Sequence, residues 1–318
     1  MLREGLIYLG ESDAAKSVVT NTPLRAMARR FVPGETVDAL VGGIREANAE
    51  GLSATGNFLG ESVHDEENAE LAADTYFRVL DAIAEQGLDA NVSLKFTQLG
   101  QDISEDFLAR NLGRVLERAR TDKLFIRFDM ESSGYTQRTL DAFEHLWADG
   151  WREIGVVLQA YLKRSAGDVA RMNELGARVR LCKGAYAEPS SVAFQERSEV
   201  DGNFVELMQM LLSEGNFPAI ATHDDAMIQA TVDYHQKNGI DKSSFEFQML
   251  HGVRRDLQKQ LVADGYGVRI YVPFGTHWYP YLMRRLAERP ANVLFLASSV
   301  VRESPFGFLW PGGKSSRP

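Results

Sequence analysis

Eight short β-like runs recur along this chain, and each is separated from the next by a stretch with helical periodicity. In order they are LSATGNFLG from Leu52, ANVSLKF from Ala90, LFIRFDM from Leu124, IGVVLQAY from Ile154, RVRLCKG from Arg178, PAIATH from Pro218, FEFQML from Phe245 and VRIYVPFG from Val268. Between them lie segments such as DEENAELAADTYFRVLDAIAEQG, with apolar residues at steps of three and four. Strands that alternate with helices form parallel sheets, because a parallel neighbour can be reached only through a long crossover. Eight such units over about 250 residues suit an α/β fold of the (β/α)8 TIM-barrel type, and a doubly wound open sheet is the alternative. Residues 1–48 precede the first strand and read as an N-terminal helical extension. The barrel domain is expected over 49–303, and the Gly-, Pro- and Ser-rich residues 304–318 as a loose tail.

Charge narrows the range of partners. The 318 residues carry 44 acids against 35 bases, a net charge of −9 with no basic stripe, which argues against nucleic acid as a partner. The single cysteine, Cys182, rules out an intrachain disulfide, so a reducing, cytoplasmic setting is expected. The N-terminal MLREGLIYLGESDAAK has early acids and no long apolar core, unlike a signal peptide. No apolar run approaches the roughly 18 residues of a membrane span, which leaves peripheral membrane contact open. The tail contains GGKSS, but a phosphate-binding loop would need glycine at position 308, which is Phe308.

A barrel builds its active site at the C-terminal ends of its strands. There this chain ends strand 2 in Lys95, strand 3 in Asp129 and strand 4 in Gln159, and strand 5 holds Arg180 and runs into Lys183, Gly184 and Ala185. Strand 6 ends in Thr222 and His223, strand 7 in Gln248 and His251, and strand 8 in Tyr271. Strands commonly run into polar loops, but charges that abut apolar cores on so many consecutive strands need partners or a ligand. After strand 8 comes PYLMRRLAERPA, where Tyr281, Arg284, Arg285 and Glu288 fall at i, i+3, i+4 and i+7 on one helical face. An exposed Arg284–Glu288 pair would explain that face without function. Beside a barrel mouth, the two guanidinium groups can instead converge on one carboxylate. Lys95, Arg180, Lys183, Arg284 and Arg285 against Asp129 and Glu288 give an expected positive excess, which suits an anionic substrate or cofactor.

Other chemistries lack their signatures. The six histidines form no H-x-H or H-E-x-x-H pair, so no metal site is expected. There is no G-x-S-x-G elbow and no G-x-G-x-x-G after a strand. Cys182 reads as a small core residue. The residues alone leave open a flavin-free barrel enzyme with Lys95 as a Schiff-base lysine, and a non-catalytic barrel whose arginine helix docks an acidic partner.

From about Ser53 to Ser298 the chain resembles the flavin-dependent proline dehydrogenases of the monofunctional bacterial type. The resemblance is carried by SLKFTQLG, RFDMES, LQAYLKR, VRLCKGAY, ATHDD, FEFQMLHG and RIYVPFGTHWYPYLMRRLAERPAN. It implies a distorted (β/α)8 barrel holding FAD. The implied reaction is oxidation of L-proline to Δ1-pyrroline-5-carboxylate by hydride transfer from proline C5 to flavin N5, the first step of proline catabolism. Electrons would pass to a quinone at the membrane surface, so peripheral contact with the inner face of the cell membrane is expected. No oligomeric state is implied. Lys95, Arg284 and Arg285 match residues that bind the proline carboxylate. Tyr271 and Tyr281 match tyrosines around the proline ring, with Tyr186 and Leu250 nearby. Arg180 matches an arginine near the reactive edge of the flavin, and Asp129 the aspartate of the active-site polar network. Asp129, Arg180 and Tyr271 are therefore the expected catalytic group. Met130, Gln159, Lys183, Gly184, Ala185, Thr222, His223 and Glu288 match FAD-contacting positions. The chain departs from the pattern in two places: GTHWYPYLMRR is two residues shorter than in the bifunctional relatives, and Phe96 stands where a proline is more usual.

Overall fold

The computed structural model describes residues 29–288, with the backbone alone over 284–288. All eight expected strands form: β1 Ser53–Phe58, β2 Ala90–Leu94, β3 Ile126–Phe128, β4 Ile154–Gln159, β5 Arg178–Cys182, β6 Ala219–Ala221, β7 Glu246–Leu250 and β8 Gly267–Phe274. Each pairs in parallel with the next. β8 returns to β1 over a register from Ser53↔Arg269 to Phe58↔Phe274, so the sheet is a closed barrel and not an open doubly wound sheet.

The crossover helices start where local chemistry dictates. Asp65 caps the helix Glu66–Glu85 by accepting from Asn68 N at 2.9 Å, and Glu66 and Glu67 complement the dipole of its first turn. Its buried residues Ala69, Ala72, Ala73, Tyr76, Val79, Leu80 and Ile83 follow the three-and-four spacing seen in the sequence. Ser104 caps the helix Glu105–Thr121 in the same manner, and Glu196 and Glu199 form a reciprocal capping box on the helix Arg197–Glu214.

Strand alternation sorts the two faces of the sheet. Val92, Ile126, Val156, Val179, Ile220, Phe247 and Ile270 are buried in the apolar core shared with the helices. The alternate positions Thr55, Ser93, Arg127, Arg180, Gln248 and Arg269 point into the barrel. Interiors of this fold are usually filled by branched aliphatics; this one is polar and held by hydrogen bonds. Its floor is built around Arg127. The guanidinium donates to the carbonyls of Val156 at 3.2 Å and Arg178 at 2.7 Å, and lies 4.8 Å from the Phe125 ring. Burial, reinforced by nearby Arg180, pushes the Arg127 pKa well down, and Glu246 opposes the shift. Gly155 makes room for this group, since a Cβ there would come within 2.5 Å of the Arg178 carbonyl oxygen and 2.7 Å of Arg127 Nη1.

The first described helix, Val37–Ala49, packs outside the barrel across the β1–β8 seam. A Cβ at Gly56 of β1 would lie 3.1 Å from Leu40, and one at Gly43 would lie 3.1 Å from Val272 of β8. The helix that follows β8, Trp278–Glu288, sends Tyr281 into the cleft at the C-terminal ends of the strands. A helix from before β1 thus covers the closing seam, while the helix after β8 carries Tyr281 to the mouth. Of the expected boundaries, residues 1–28, the last barrel segment 289–303 and the tail 304–318 lie outside the described residues.

Leu40 is fully buried at the seam. Leu40→Ala is expected to destabilise the protein by about 2–5 kcal/mol. Denaturant unfolding should show this as a lower midpoint at unchanged slope.

Candidate active site

The strand ends surround a cleft of about 1130 Å³. Every residue that the resemblance assigns to the site and whose side chain is described lines it, whereas His251, expected at the same strand ends, does not. Lys95 enters after β2, Asp129 and Met130 after β3, and Gln159 at the end of β4. Arg180 comes from within β5, and Lys183, Gly184, Ala185 and Tyr186 from the loop that follows. Thr222 and His223 follow β6, Leu250 ends β7, Tyr271 comes from β8 and Tyr281 from the last helix. β8 runs three residues past Tyr271 to Phe274, so Tyr271 is held within a strand instead of ending it. Arg284, Arg285 and Glu288 fall on the last turns of the helix Trp278–Glu288, and their side chains lie outside the described residues.

Asp129 is the hub of the interior. Its Oδ1 accepts from Ser93 Oγ at 2.5 Å and Arg180 Nη1 at 2.8 Å; its Oδ2 accepts from the Tyr271 phenol at 2.6 Å and Asn57 Nδ2 at 3.5 Å. Burial raises the Tyr271 pKa well above the usual tyrosine value and the Asp129 charge raises it further, against the pull of Arg180. Tyr271 therefore stays protonated as a donor to Asp129, with the Arg180 guanidinium carbon 5.3 Å from its ring centroid. Arg180 Nε donates to Gln248 Oε1 at 2.5 Å. Among the described residues, buried Arg180 Nη2 has no hydrogen-bond acceptor. A buried charged donor without a partner is costly, and a ligand acceptor would relieve it.

Lys95 is buried, and among the described residues it makes no hydrogen bond or ion pair. Close by, Glu131 accepts from Thr97 N at 3.3 Å and Thr97 Oγ1 at 2.6 Å. Burial raises the Glu131 pKa, while the Thr97 hydrogen bonds and the Lys95 charge hold the rise in check. Thr97 Oγ1 also accepts from Ser62 N at 3.0 Å, and the Glu131 carbonyl accepts from Gln159 Nε2 at 2.9 Å. This chain of contacts joins the ends of β1 to β4, and nothing in the sequence periodicity marks it.

Acids at the rim offset the expected positive excess among the described side chains, with Arg284, Arg285 and Glu288 outside that balance. Lining cations are Lys95, Arg180, Lys183 and Arg197; lining carboxylates are Glu61, Asp129, Glu188, Asp201 and Asp224. Among described side chains the balance is therefore four to five. The loops after β1, β5 and β6 fold their acids back over the mouth. Lys183 pairs with Asp201 and, at 2.8 Å, with Asp224, which Arg197 also meets at 2.9 Å. Glu188 caps the helix Ser133–Ala148 by accepting from Ser133 N at 2.6 Å and from its hydroxyl, which straps the β5 loop over the cleft. The Tyr186 phenol donates to Glu61 at 3.3 Å. Gly184 turns this loop at φ 109°, and a Cβ there would lie 2.2 Å from the Tyr161 ring, so no other residue fits. His223 Nε2 accepts from Leu250 N at 2.8 Å, which locks the ring against β7. Cys182 is half-buried in the cleft wall, where the sequence suggested core. Asn57, Glu61, Glu131, Glu188, Asp201 and Asp224 escape sequence reasoning because their partners are far along the chain.

Comparison with known proteins bears on what this cleft does. The proline dehydrogenase family model matches residues 40–298. Proline dehydrogenase 1 of Bacillus subtilis subsp. natto is 38% identical over 303 residues, 95% of this chain and 100% of that protein. Proline dehydrogenase of Deinococcus radiodurans is 37% identical over 280 residues, 87% of this chain and 90% of that protein. Among solved structures, proline utilization A from Bdellovibrio bacteriovorus, inactivated by N-propargylglycine, superposes with a TM-score of 0.80 at 26% identity, covering 93% of this chain. The chain spans only 36% of that longer protein.

The rim cluster has a pH signature. Burial alone would raise the Asp224 pKa, but Lys183, the Ala226 N–H and Arg197 outweigh it and hold the carboxyl at about 2. A depressed carboxyl contributes stability that is present above its unfolded pKa of 3.8 and is lost as pH falls towards 2. Lys183→Met is expected to raise the Asp224 pKa, read by NMR titration, and to flatten the fall in stability between those two values.

Proposed function

The chain belongs to the proline dehydrogenase family, and we propose from that membership that it oxidises L-proline to Δ1-pyrroline-5-carboxylate with FAD as cofactor. It is an oxidoreductase of proline catabolism. The observation that carries the flavin and substrate assignment is a pair of buried cationic residues lining one cleft: Lys95, which makes no hydrogen bond or ion pair among the described residues, and Arg180, whose Nη2 alone is left without an acceptor there.

The residues present fit FAD. The cleft of about 1130 Å³ exceeds the roughly 300–1,000 Å³ of ordinary small-molecule pockets, as a dinucleotide plus an amino acid requires. The Lys183–Gly184–Ala185 turn lines the cleft, and its centre has no room for a Cβ because its backbone lies against the Tyr161 ring. Met130, Gln159, that turn, Thr222, His223 and Glu288 would hold the cofactor. Because Asp201 and Asp224 already match the Lys183 charge, Lys183 contributes the shape of the turn more than net charge. When bound, FAD supplies the acceptor for the hydride that leaves proline C5.

The chain's own residues bind and orient. Lys95, with Arg284 and Arg285 on the helix face that carries Tyr281, clamps the proline carboxylate by charge-assisted hydrogen bonds. Tyr271, Tyr281, Tyr186 and Leu250 wall the ring and exclude water. The clustered cations disfavour the substrate ammonium, so the amine sheds its proton more readily. Asp129 keeps the Tyr271 phenol turned away from the substrate and fixes one side of Arg180. Arg180 stabilises negative charge that develops in the cleft. A quinone at the inner face of the cell membrane is the proposed electron acceptor, reached by surface contact. Among the described residues no helix is long and apolar enough to cross a membrane.

Purified protein should show flavin absorption that bleaches anaerobically on adding proline. A colourless protein, or borohydride trapping of substrate on Lys95, would overturn the flavin assignment. Lys95→Met is expected to raise KM for proline about tenfold or more with FAD retained, since a hydrogen bond to a charged group contributes about 1.5–3 kcal/mol. Arg180→Ala should slow reduction of the bound flavin by proline much more than it weakens proline binding; equal losses would count against its role.

A further inference from the structure

Gln248 sits at the centre of β7 with its side chain inside the barrel, buried between two charged groups. On one side, Gln248 Nε2 donates to Glu246 Oε1 at 2.5 Å. On the other, Gln248 Oε1 accepts from Arg180 Nε at 2.5 Å. The neighbours dictate the amide orientation. Arg269 Nε reaches both Glu246 oxygens, at 2.9 and 3.1 Å, so the Glu246 carboxylate is ion-paired and only accepts. A guanidinium only donates. A flipped amide would set NH2 against guanidinium and oxygen against carboxylate, both repulsive. The pair Arg269–Glu246 therefore sets Gln248, and Gln248 sets Arg180.

The consequence lies in what remains of Arg180. Asp129 holds Nη1 and Gln248 holds Nε, so two of three nitrogens of a rigid planar group are fixed. The third, Nη2, is buried without an acceptor among the described residues. The second partner is a neutral amide, so among the described residues only Asp129 is ion-paired with Arg180. We propose that Gln248 is a positioning residue for the oxidation: oriented by the Arg269–Glu246 pair, it fixes the Arg180 guanidinium with Nη2 reserved for negative charge in the cleft, and leaves that charge cancelled only once. This rests on the flavin reading above.

The test uses the FAD-loaded full chain and three readouts: the flavin midpoint potential, the rate of flavin reduction by proline, and its pH profile. Gln248→Met removes the acceptor at similar volume. It should slow reduction tenfold or more and lower the midpoint potential by about 30 mV, the value of a tenfold change for a two-electron couple, with KM for proline within about threefold. Gln248→Glu supplies the second variant. When protonated, its carboxyl can donate to Glu246 and accept from Arg180, as the amide does; when ionised, it repels Glu246 and cancels the Arg180 charge again. The ratio of variant to wild-type rate should therefore fall as pH rises, with the potential lowered at the high-pH end. A flat ratio with an unshifted potential overturns the positioning role, even where Gln248→Met fails to fold. A wild-type protein that binds no flavin would defeat the function proposed above. A wild type reduced by proline beside unaltered Gln248 variants would defeat only this inference.

Discussion

The buried carboxylate of Asp129 is the contact on which the polar interior depends. Its two oxygens collect donors from β1, β2, β5 and β8, through Asn57, Ser93, Arg180 and Tyr271. One acid thereby ties together strands that do not all neighbour one another in the sheet. Removal would leave a guanidinium and a phenol buried with unmade hydrogen bonds, the kind of loss that costs most in a low-dielectric interior. Burying charge inside a barrel is tolerable only where partners are close at hand, and the arrangement below Asp129 follows the same rule, although Arg127 Nε has no hydrogen-bond partner among the described residues. Glu246 answers Arg269, and backbone carbonyls with an aromatic ring answer Arg127.

Charge is spent unevenly across the cleft. At the rim, Lys183 and Arg197 are matched by Asp201 and Asp224, so that end holds shape with little net field. Deeper in, Lys95 and one edge of Arg180 are left unmatched within the described residues. A protein that is acidic overall thus holds, among the described residues, buried positive charge with donors to spare inside this cleft. Burial strengthens such a charge, because little solvent screens it. In the proposed reaction this is where the substrate carboxylate and the electrons from its C–H bond both arrive.

The eight strands were legible because each is an apolar run of ordinary strand length bounded by helical spacing. The expected site residues were legible because the barrel rule points to strand ends, and because long motifs such as VRLCKGAY carry a family resemblance. Illegible were the residues that act at a distance. Glu188 caps a helix 55 positions earlier, and Glu61 meets Tyr186 across 125 positions. No local pattern encodes pairings of that range. Among the described side chains the expected excess of cations does not appear for this reason: counting charges near strand ends misses acids that loops bring back. Gln248 was expected at a strand end but lies at the centre of β7, and its orientation depends on Glu246 and Arg269 together.

By itself the sequence determined the alternation of strand and helix, the polar character of the strand ends, and the family. Those depend on residue type and local spacing, which sterics and burial read directly. Only the tertiary structure decided that the sheet closes, because closure depends on β8 meeting β1 across more than two hundred residues. It also decided that the helix Val37–Ala49 covers that seam while the helix after β8 turns to the mouth. And it decided which charges neutralise one another and which stay available, since pairing depends on distance in space and on burial, neither of which is written in the order of residues.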